Sequence, residues 1–143
     1  MAIVLGEPKQ RGKSDVVLSK ARYDGADIAS GQFAYIHTDG TLRASEGNTP
    51  APLCVTGKST GATTEAVFSG MEVGVRVDDG LTIAIGQQVY VVNATGAITN
   101  ASADATAVNA TFSSAKDSVA VNPNTGAVDA TTAAAYITFV GGL

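Results

Sequence analysis

The chain has 143 residues, 45% of them hydrophobic, with a formal net charge of −4, one histidine, one cysteine and no tryptophan. The length suits one domain with its own core, and the single cysteine excludes an intrachain disulfide framework and a cysteine-rich zinc site. Much of the hydrophobic fraction is alanine, and Val, Ile and Thr together outnumber Leu, Met, Glu, Lys and Arg. Because β-branched residues fit pleated, half-buried surfaces, this balance predicts an all-β fold with a thin core.

The beginning of the chain combines an apolar start with a basic, turn-rich stretch. Residues 1–22 carry five cations against two acidic groups, whereas the rest carries four basic and eleven acidic groups. Glycine and proline disfavour regular structure in MAIVLGEPKQRGKS, so residues 1–14 are predicted to form an extended N-terminal arm before a single β domain over residues 15–143. Five cations are a weak footprint for nucleic acid, and an acidic protein surface suits this arm better.

The remainder alternates between strand patterns and turns. DVVLSKARYD is the first predicted strand, LCVTGKS is a short one, EAVFSGMEVGVRVDDG is a broken pair, and AAAYITFVGGL closes the chain. The Ala-rich segment 101–118 has only Val108 and Phe112 as apolar anchors, and their i, i+4 spacing predicts either one or two helical turns or a long surface loop. About ten short strands, with turn signals every 8 to 12 residues or so, predict a small β-barrel or sandwich.

Two stretches of the chain are near-copies. GQFAYIHTDGTLRAS, from Gly31, and GQQVYVVNATGAITNAS, from Gly86, share a Gly-Gln leader, a tyrosine four residues after the first glycine, and a turn glycine. A weaker echo, SVAVNPNTGAVDATT from Ser118, lacks the leader. Each stretch is a β-rich run, a polar turn ending in glycine and a second short run, which predicts a β-hairpin. Duplication and convergence on a short menu of hairpin residues both explain the likeness.

Nucleophilic or phosphate-binding chemistry finds little support. Cys54 lies in the apolar run PLCVTG and is interpreted as a small buried hydrophobe. His37 is the only imidazole that could activate it, and no motif links the two. GKSTG at Gly57 resembles the end of a P-loop, but Pro52 stands where that motif needs its first glycine. The sequence therefore predicts no catalytic residue.

The acidic residues are interpreted as turn residues. Asp78 and Asp79 precede a glycine, and Asp39 lies two residues after His37 at the first hairpin turn. A calcium site needs about six oxygens, more than either neighbourhood offers. The four glutamates fall in the arm, in loops or at the head of a strand, which argues against a glycosidase pair. No metal site, no cofactor and no enzymatic activity are predicted.

The succession SGQFAYIHTDGTL, LCVTGKSTG and EVGVRVDDGLTIAIGQQVYVVNATGAIT, within about residues 30–100, resembles the head decoration, or capsid cement, proteins of tailed bacteriophages. The resemblance implies a small β-barrel or sandwich, often a homotrimer, that binds the outer surface of the phage head and stabilises the expanded capsid. Its partners would be the major capsid protein and copies of itself, with no nucleic acid and no membrane. It would reside in the virion after synthesis in the cytoplasm of the bacterial host.

Two other function classes stay open. A β-rich binding module of a tail fibre or cell surface, with a glycan or protein ligand, uses the same kinds of hairpin. An enzyme would require a pocket that gathers Cys54, His37 or clustered acids. The apolar runs at either end of the chain are too short to span a membrane or to form a secretory signal, so a cytoplasm-like site of synthesis is expected.

In the context of a capsid, the arm is the predicted contact. Its capsid-binding residues are three aliphatic side chains and three cations, namely Ile3, Val4, Leu5, Lys9, Arg11 and Lys13. Exposed ion pairs contribute about 0 to 1 kcal/mol each, whereas a buried aliphatic side chain contributes about 1.5 to 3 kcal/mol. The aliphatic plug is therefore expected to matter more than the charges. The arm is expected to be mobile in the free protein, and its removal to leave the fold intact.

Overall fold

The computed structural model describes these parts of the chain: residues 3–9, 17–21, 28–45, 52–60, 62–68, 70–117, 119–129 and 131–139. They form thirteen strands and no helix, in three sheets that are sandwich-like and do not close into a barrel. The predicted all-β class is confirmed. No helix within the described ranges is long and apolar enough to cross a membrane.

The strands are short and mostly antiparallel. In chain order they are β1 Ile3–Val4, β2 Val17–Ala21, β3 Phe33–Ile36, β4 Leu42–Ala44, β5 Cys54–Thr60, β6 Thr63–Val67, β7 Gly70–Val77, β8 Gln88–Val92, β9 Ile98–Thr99, β10 Ala105–Phe112, β11 Ala120–Val121, β12 Val128–Asp129 and β13 Ala133–Phe139. The sheets have the orders β2-β6-β5-β3-β4, β7-β13-β10-β8-β9 and β1-β11-β12. Among the strands of the described residues, only β1 and β11 pair in parallel.

The two five-stranded sheets have the same topology. Exchanging β2, β3, β4, β5 and β6 for β7, β8, β9, β10 and β13 turns the first strand order into the second. We call residues 17–68 the first unit and residues 70–139 the second unit. The second unit differs by an insertion, because the β11-β12 hairpin lies between β10 and β13 and joins β1 in the third sheet.

Backbone hydrogen bonds match between the units. In the first unit, Gly31 N–H donates to the carbonyl of Thr56 at 2.7 Å, and Thr56 N–H donates to the carbonyl of the glutamine after Gly31 at 2.9 Å. In the second unit, Gly86 and Phe112 make the same two bonds, also at 2.7 and 2.9 Å. The two Gly-Gln leaders therefore hold equivalent places beside β5 and β10.

The Gly-Gln leader stabilises a turn. The Oε1 of Gln32 accepts a hydrogen bond from the backbone N–H of Ala29 at 3.0 Å, and the Oε1 of Gln87 accepts one from Ala84 at 2.9 Å. The glycine before each glutamine has a positive φ, of 80° and 91°, which side chains disfavour. Glycine and glutamine recur together because one permits the turn and the other closes it.

The strand registers support duplication over convergence. In the first unit, the strand pairings lead from Thr56 across β6 to Leu18 of β2. In the second unit, they lead from Phe112 across β13 to Val73 of β7, so Leu18 and Val73 are counterparts. Those two residues are 55 positions apart, as are the glycines of the two leaders. The intervening sequences, SKARYDGADIASGQ and GVRVDDGLTIAIGQ, share Asp-Gly and Ile-Ala-x-Gly-Gln at matching places. Separate hairpins that had converged would not keep one spacing from β2 to β3 and from β7 to β8.

The main core belongs to both units. Phe33 of β3 packs against Phe139 of β13, with ring centroids 5.2 Å apart, and both side chains are almost fully buried. They lie in one cluster with aliphatic residues of both large sheets, such as Val55 and Val75. A separate cluster on the first unit includes Leu42. The two units are therefore joined by shared apolar surface.

The Ala-rich segment is neither a helix nor a loop throughout, which corrects one expectation. Residues 105–112 form β10, where Val108, Ala110 and Phe112 are buried and the residues between them are exposed. The spacing of Val108 and Phe112 fits a strand as well as a helix, because positions i and i+4 share one face in both. Pairing with β8 and β13 on either side decides between them.

Candidate functional site

Residues 3–9, which we call the strap, are extended but packed on their own chain. Ile3 and Leu5 are each 2% exposed and lie in a cluster with Ala120, Ala134 and Tyr136. This corrects the expectation that Ile3 and Leu5 belong to an arm that is mobile in the free protein and keeps them for a partner. The third sheet buries them, because β11 and β13 supply apolar partners more than a hundred residues further along.

The strap also covers the outer edge of β7. Gly6 N–H donates to the carbonyl of Gly74 at 2.7 Å, and Gly74 N–H donates to the carbonyl of Glu7 at 3.0 Å. Lys9 N–H donates to the carbonyl of Glu72 at 2.8 Å. The strap also approaches β5, so closely that a Cβ on Gly6 would lie 2.0 Å from the carbonyl oxygen of Thr56. The strap thus acts as a further strand that blocks an otherwise open edge.

The predicted cations of the arm are only partly described. Lys9 places its Nζ 3.9 Å from Oε2 of Glu72 and 5.5 Å from the centre of the Tyr136 ring. Both charged side chains are more than a third exposed, so the ion pair is weak. Val4 is half-buried in β1. Arg11 and Lys13 lie outside the described residues.

Two adjoining cavities, of about 350 and 320 Å³, flank Arg76 where the two units and the third sheet meet. Gln32 lines both, and the Nε of Arg76 donates to the carbonyl of Ser30 at 2.9 Å. Burial lowers the pKa of Arg76, while nearby Asp129 raises it. Cys54 and His37 line neither cavity, whereas Asp78 and Asp79 line the larger one.

Cys54 is inert by its position. It is fully buried in β5, with Sγ 3.6 Å from the carbonyl oxygen of Ala34, and burial raises its pKa to about 12. Because the thiolate is the reactive form, iodoacetamide at mildly alkaline pH should leave the folded protein unmodified and alkylate it fully in denaturant. Mass spectrometry of both samples checks this, and rapid alkylation of the folded protein would contradict the placement.

Asp129 organises the turn after β12. Its carboxylate accepts hydrogen bonds from the Thr131 hydroxyl at 2.7 Å, the Thr132 hydroxyl at 2.7 Å and the Thr131 N–H at 2.9 Å, which lower its pKa from 3.8 to about 2. A carboxyl whose pKa is lowered in the folded protein stabilises the fold at pH values above its ordinary pKa. This stabilisation is lost as the pH falls through about 2.

Asp129→Asn should therefore lower the melting temperature at neutral pH, and its deficit relative to wild type should shrink to near zero at about pH 2. Thermal unfolding of both proteins across this range, followed by circular dichroism, measures the difference. A deficit that does not change with pH would show that the carboxylate charge is not what stabilises the turn.

Asp39 and Asp78 also serve turns, as expected. Asp39 Oδ1 accepts from the hydroxyl and N–H of Thr41 at 2.6 and 3.0 Å, and Oδ2 accepts from Arg43 at 3.0 Å. Asp78 accepts from the N–H two residues later. The described residues hold no group of three or more potential metal ligands. Residues 57–60 of the GKSTG motif lie within β5, and the next described element is the strand β6, where a P-loop has a helix.

The exposure of two aliphatic side chains was not predicted from the sequence. Ile85 is 74% exposed and Val128 is 61% exposed. Ile85 precedes the second leader glycine, at the position that Ser30 holds in the first unit, and Ser30 is buried. The contrast between serine and isoleucine within an otherwise shared Ile-Ala-x-Gly-Gln is the signal that could have revealed it.

No family model, curated protein or solved structure matches the chain. Function has therefore to be inferred from the residues themselves and from the motifs that they form.

Proposed function

We propose that the protein is a structural virion protein, a non-enzymatic capsid decoration protein that binds the outer surface of the phage head and stabilises the expanded capsid. The motif succession within residues 30–100 is the observation that carries the proposal. It spans the hairpin β3-β4, the strand β5 and the hairpin β8-β9, and so includes parts of both units. The major capsid protein is the proposed partner.

A rigid body supports this role. A clamp resists the separation of its neighbours only if little of its own structure must become ordered on binding. Both units share one apolar core, and the strap adds backbone hydrogen bonds along β7. The hairpin turns are closed by side chains such as Asp39 and Thr95, which accept from nearby backbone N–H groups. The body is thus prepared for contact before it meets a partner.

With Ile3 and Leu5 buried, the surface of the body carries the proposed capsid contact. Arg11 and Lys13 would then act through charge, which changes association rate and salt sensitivity more than it changes affinity. Weak binding by each copy is sufficient, because several linked copies that touch several capsid subunits gain avidity from effective concentration.

Sedimentation with phage heads tests the proposal. Purified protein mixed with expanded, undecorated heads should pellet with them to a saturable level and should raise the temperature at which the heads break. Unexpanded heads are the matched control and should bind much less. Absence of saturable binding to expanded heads would overturn the proposal, and selective binding to a glycan array would favour the tail-fibre or cell-surface module.

A further inference from the structure

The second unit covers the leader turn of the first. Arg76 N–H donates to the carbonyl of Gly31 at 3.1 Å, and its Nε donates to the carbonyl of Ser30 at 2.9 Å. A Cβ on Gly31 would lie 3.1 Å from the backbone nitrogen of Arg76 and 3.1 Å from the side chain of Leu5. Ser30 is buried, and its hydroxyl donates to the carbonyl of Gly57 at 2.8 Å. This turn is therefore enclosed on its outer side.

The counterpart turn in the second unit is bare. No described atom lies within 4 Å of the place that a Cβ on Gly86 would take, and Ile85 is 74% exposed. A single exposed aliphatic residue is ordinary on a protein surface. Its position is what matters here, because an isoleucine stands uncovered where the first unit has a covered serine.

A second surface is covered in one unit and bare in the other. The outer edge of β7 is bonded to the strap at Glu72 and Gly74 and to Gly31 at Arg76. Its counterpart β2 ends its sheet, and no described strand pairs with the outer edge of β2. By the strand registers, Ala21 of β2 is the counterpart of Arg76. The described part of the chain thus presents one unused strand edge and one unused leader turn, the two halves of a contact that it already makes internally.

We propose that these two surfaces bind each other between copies of this chain. The outer edge of β2 of one copy lies against the turn at Ile85 and Gly86 of the next, and repeats between chains the contact that Arg76 makes with Gly31 within the chain. The N–H of Ala21 donates to the carbonyl of Gly86 of the neighbour, and Ile85 becomes buried. This surface does not depend on the capsid role.

A strand edge of this fold is the occupant because the chain already shows that it fits such a turn. Unpaired strand edges are templates for further pairing, and a contact to the neighbour removes the exposed edge. The contact joins two different surfaces of each copy, so it is heterologous. Successive copies form a closed ring when the rotation from one copy to the next divides evenly into a full turn. Each copy contributes two units, so the ring contains twice as many similar units as chains.

Cysteine pairing tests the geometry directly. The double variant Ala21→Cys/Ile85→Cys should form disulfide-linked species larger than dimers under mild oxidation, because each copy offers one thiol to each neighbour. Ala21→Cys/Val128→Cys is the matched control, since Val128 is also exposed but lies on the third sheet. Cys54 is buried and does not compete. Equal cross-linking in both double variants, or none in the first, would overturn the proposal.

Light scattering on unmodified protein provides an independent measurement. Wild type at about 100 µM should have a mass of at least twice the 14.3 kDa of one chain, and Ile85→Asp should weaken association at least about tenfold. Val128→Asp should have no effect, and circular dichroism confirms that both variants are folded. A monomeric wild type at this concentration, or equal loss in the two variants, would contradict the proposed surface.

Discussion

Gly6→Ala should lower the free energy of unfolding by more than about 3 kcal/mol. Gly6 has a φ of +71°, and a Cβ there would lie 2.0 Å from the carbonyl oxygen of Thr56 and 2.4 Å from the Cα of Gly57. Both obstacles are backbone atoms of β5, which cannot give way as a flexible side chain does. The strap must therefore lift, and Ile3 and Leu5 each lose burial worth about 1.5 to 3 kcal/mol.

Gly126→Ala is the matched control for this change. Gly126 has a nearly identical φ of +72°, but no atom of the described residues outside its chain neighbours lies within 4 Å of the place its Cβ would take. Only the conformational cost of a left-handed alanine remains, about 1 to 2 kcal/mol. Urea denaturation followed by circular dichroism gives both values. Equal losses in the two variants would mean that the strap is not seated against β5 as described.

Phe33→Ala should cost about 3 to 5 kcal/mol, since it removes a fully buried aromatic ring and leaves a cavity. The ring contacts Phe139, so the cavity opens between the two units. Because the units share this core, both should still unfold in a single transition. Urea unfolding followed by circular dichroism and by the exposure of Cys54 to a thiol reagent reports on the whole chain and on the first unit.

Phe33→Leu is the conservative comparison, and it should cost less than the alanine change because it leaves a smaller cavity. Two separate transitions in the wild type, or a loss of less than about 1 kcal/mol in Phe33→Ala, would show that each unit is stable by itself.

Local features of the fold were predictable from the sequence because their causes are local. The hairpin at Gly40 and the hairpin at Gly96 follow from turn residues within a few positions, and both glycines have a positive φ. The strand β10 was mispredicted because its apolar residues fall on even spacings that a helix also satisfies at i and i+4. Only pairing with distant strands distinguishes the two.

The strap shows why the predicted arm was only half right. Its glycine and proline suggested freedom, yet Gly6 is needed for close approach to β5, and Pro8 forms a bridge with Val73. The apolar partners of Ile3 and Leu5 come from β11 and β13. No pattern within residues 1–14 encodes such long-range contacts. An apolar, basic terminus that will fold back looks the same in sequence as one that waits for a partner.

The parallel pairing of β1 with β11 has a consequence for the order of folding. Ile3 leaves the ribosome well before its ladder partner, Ala120. The groove that receives the strap does not exist until β11 and β13 have been made, so the strap docks only after these later strands have formed. Contacts between distant residues are slow to form, since a long loop must close first. Until then the nascent chain carries Ile3 and Leu5 in solvent beside an open β7 edge, and this is the interval in which chaperones would be most needed.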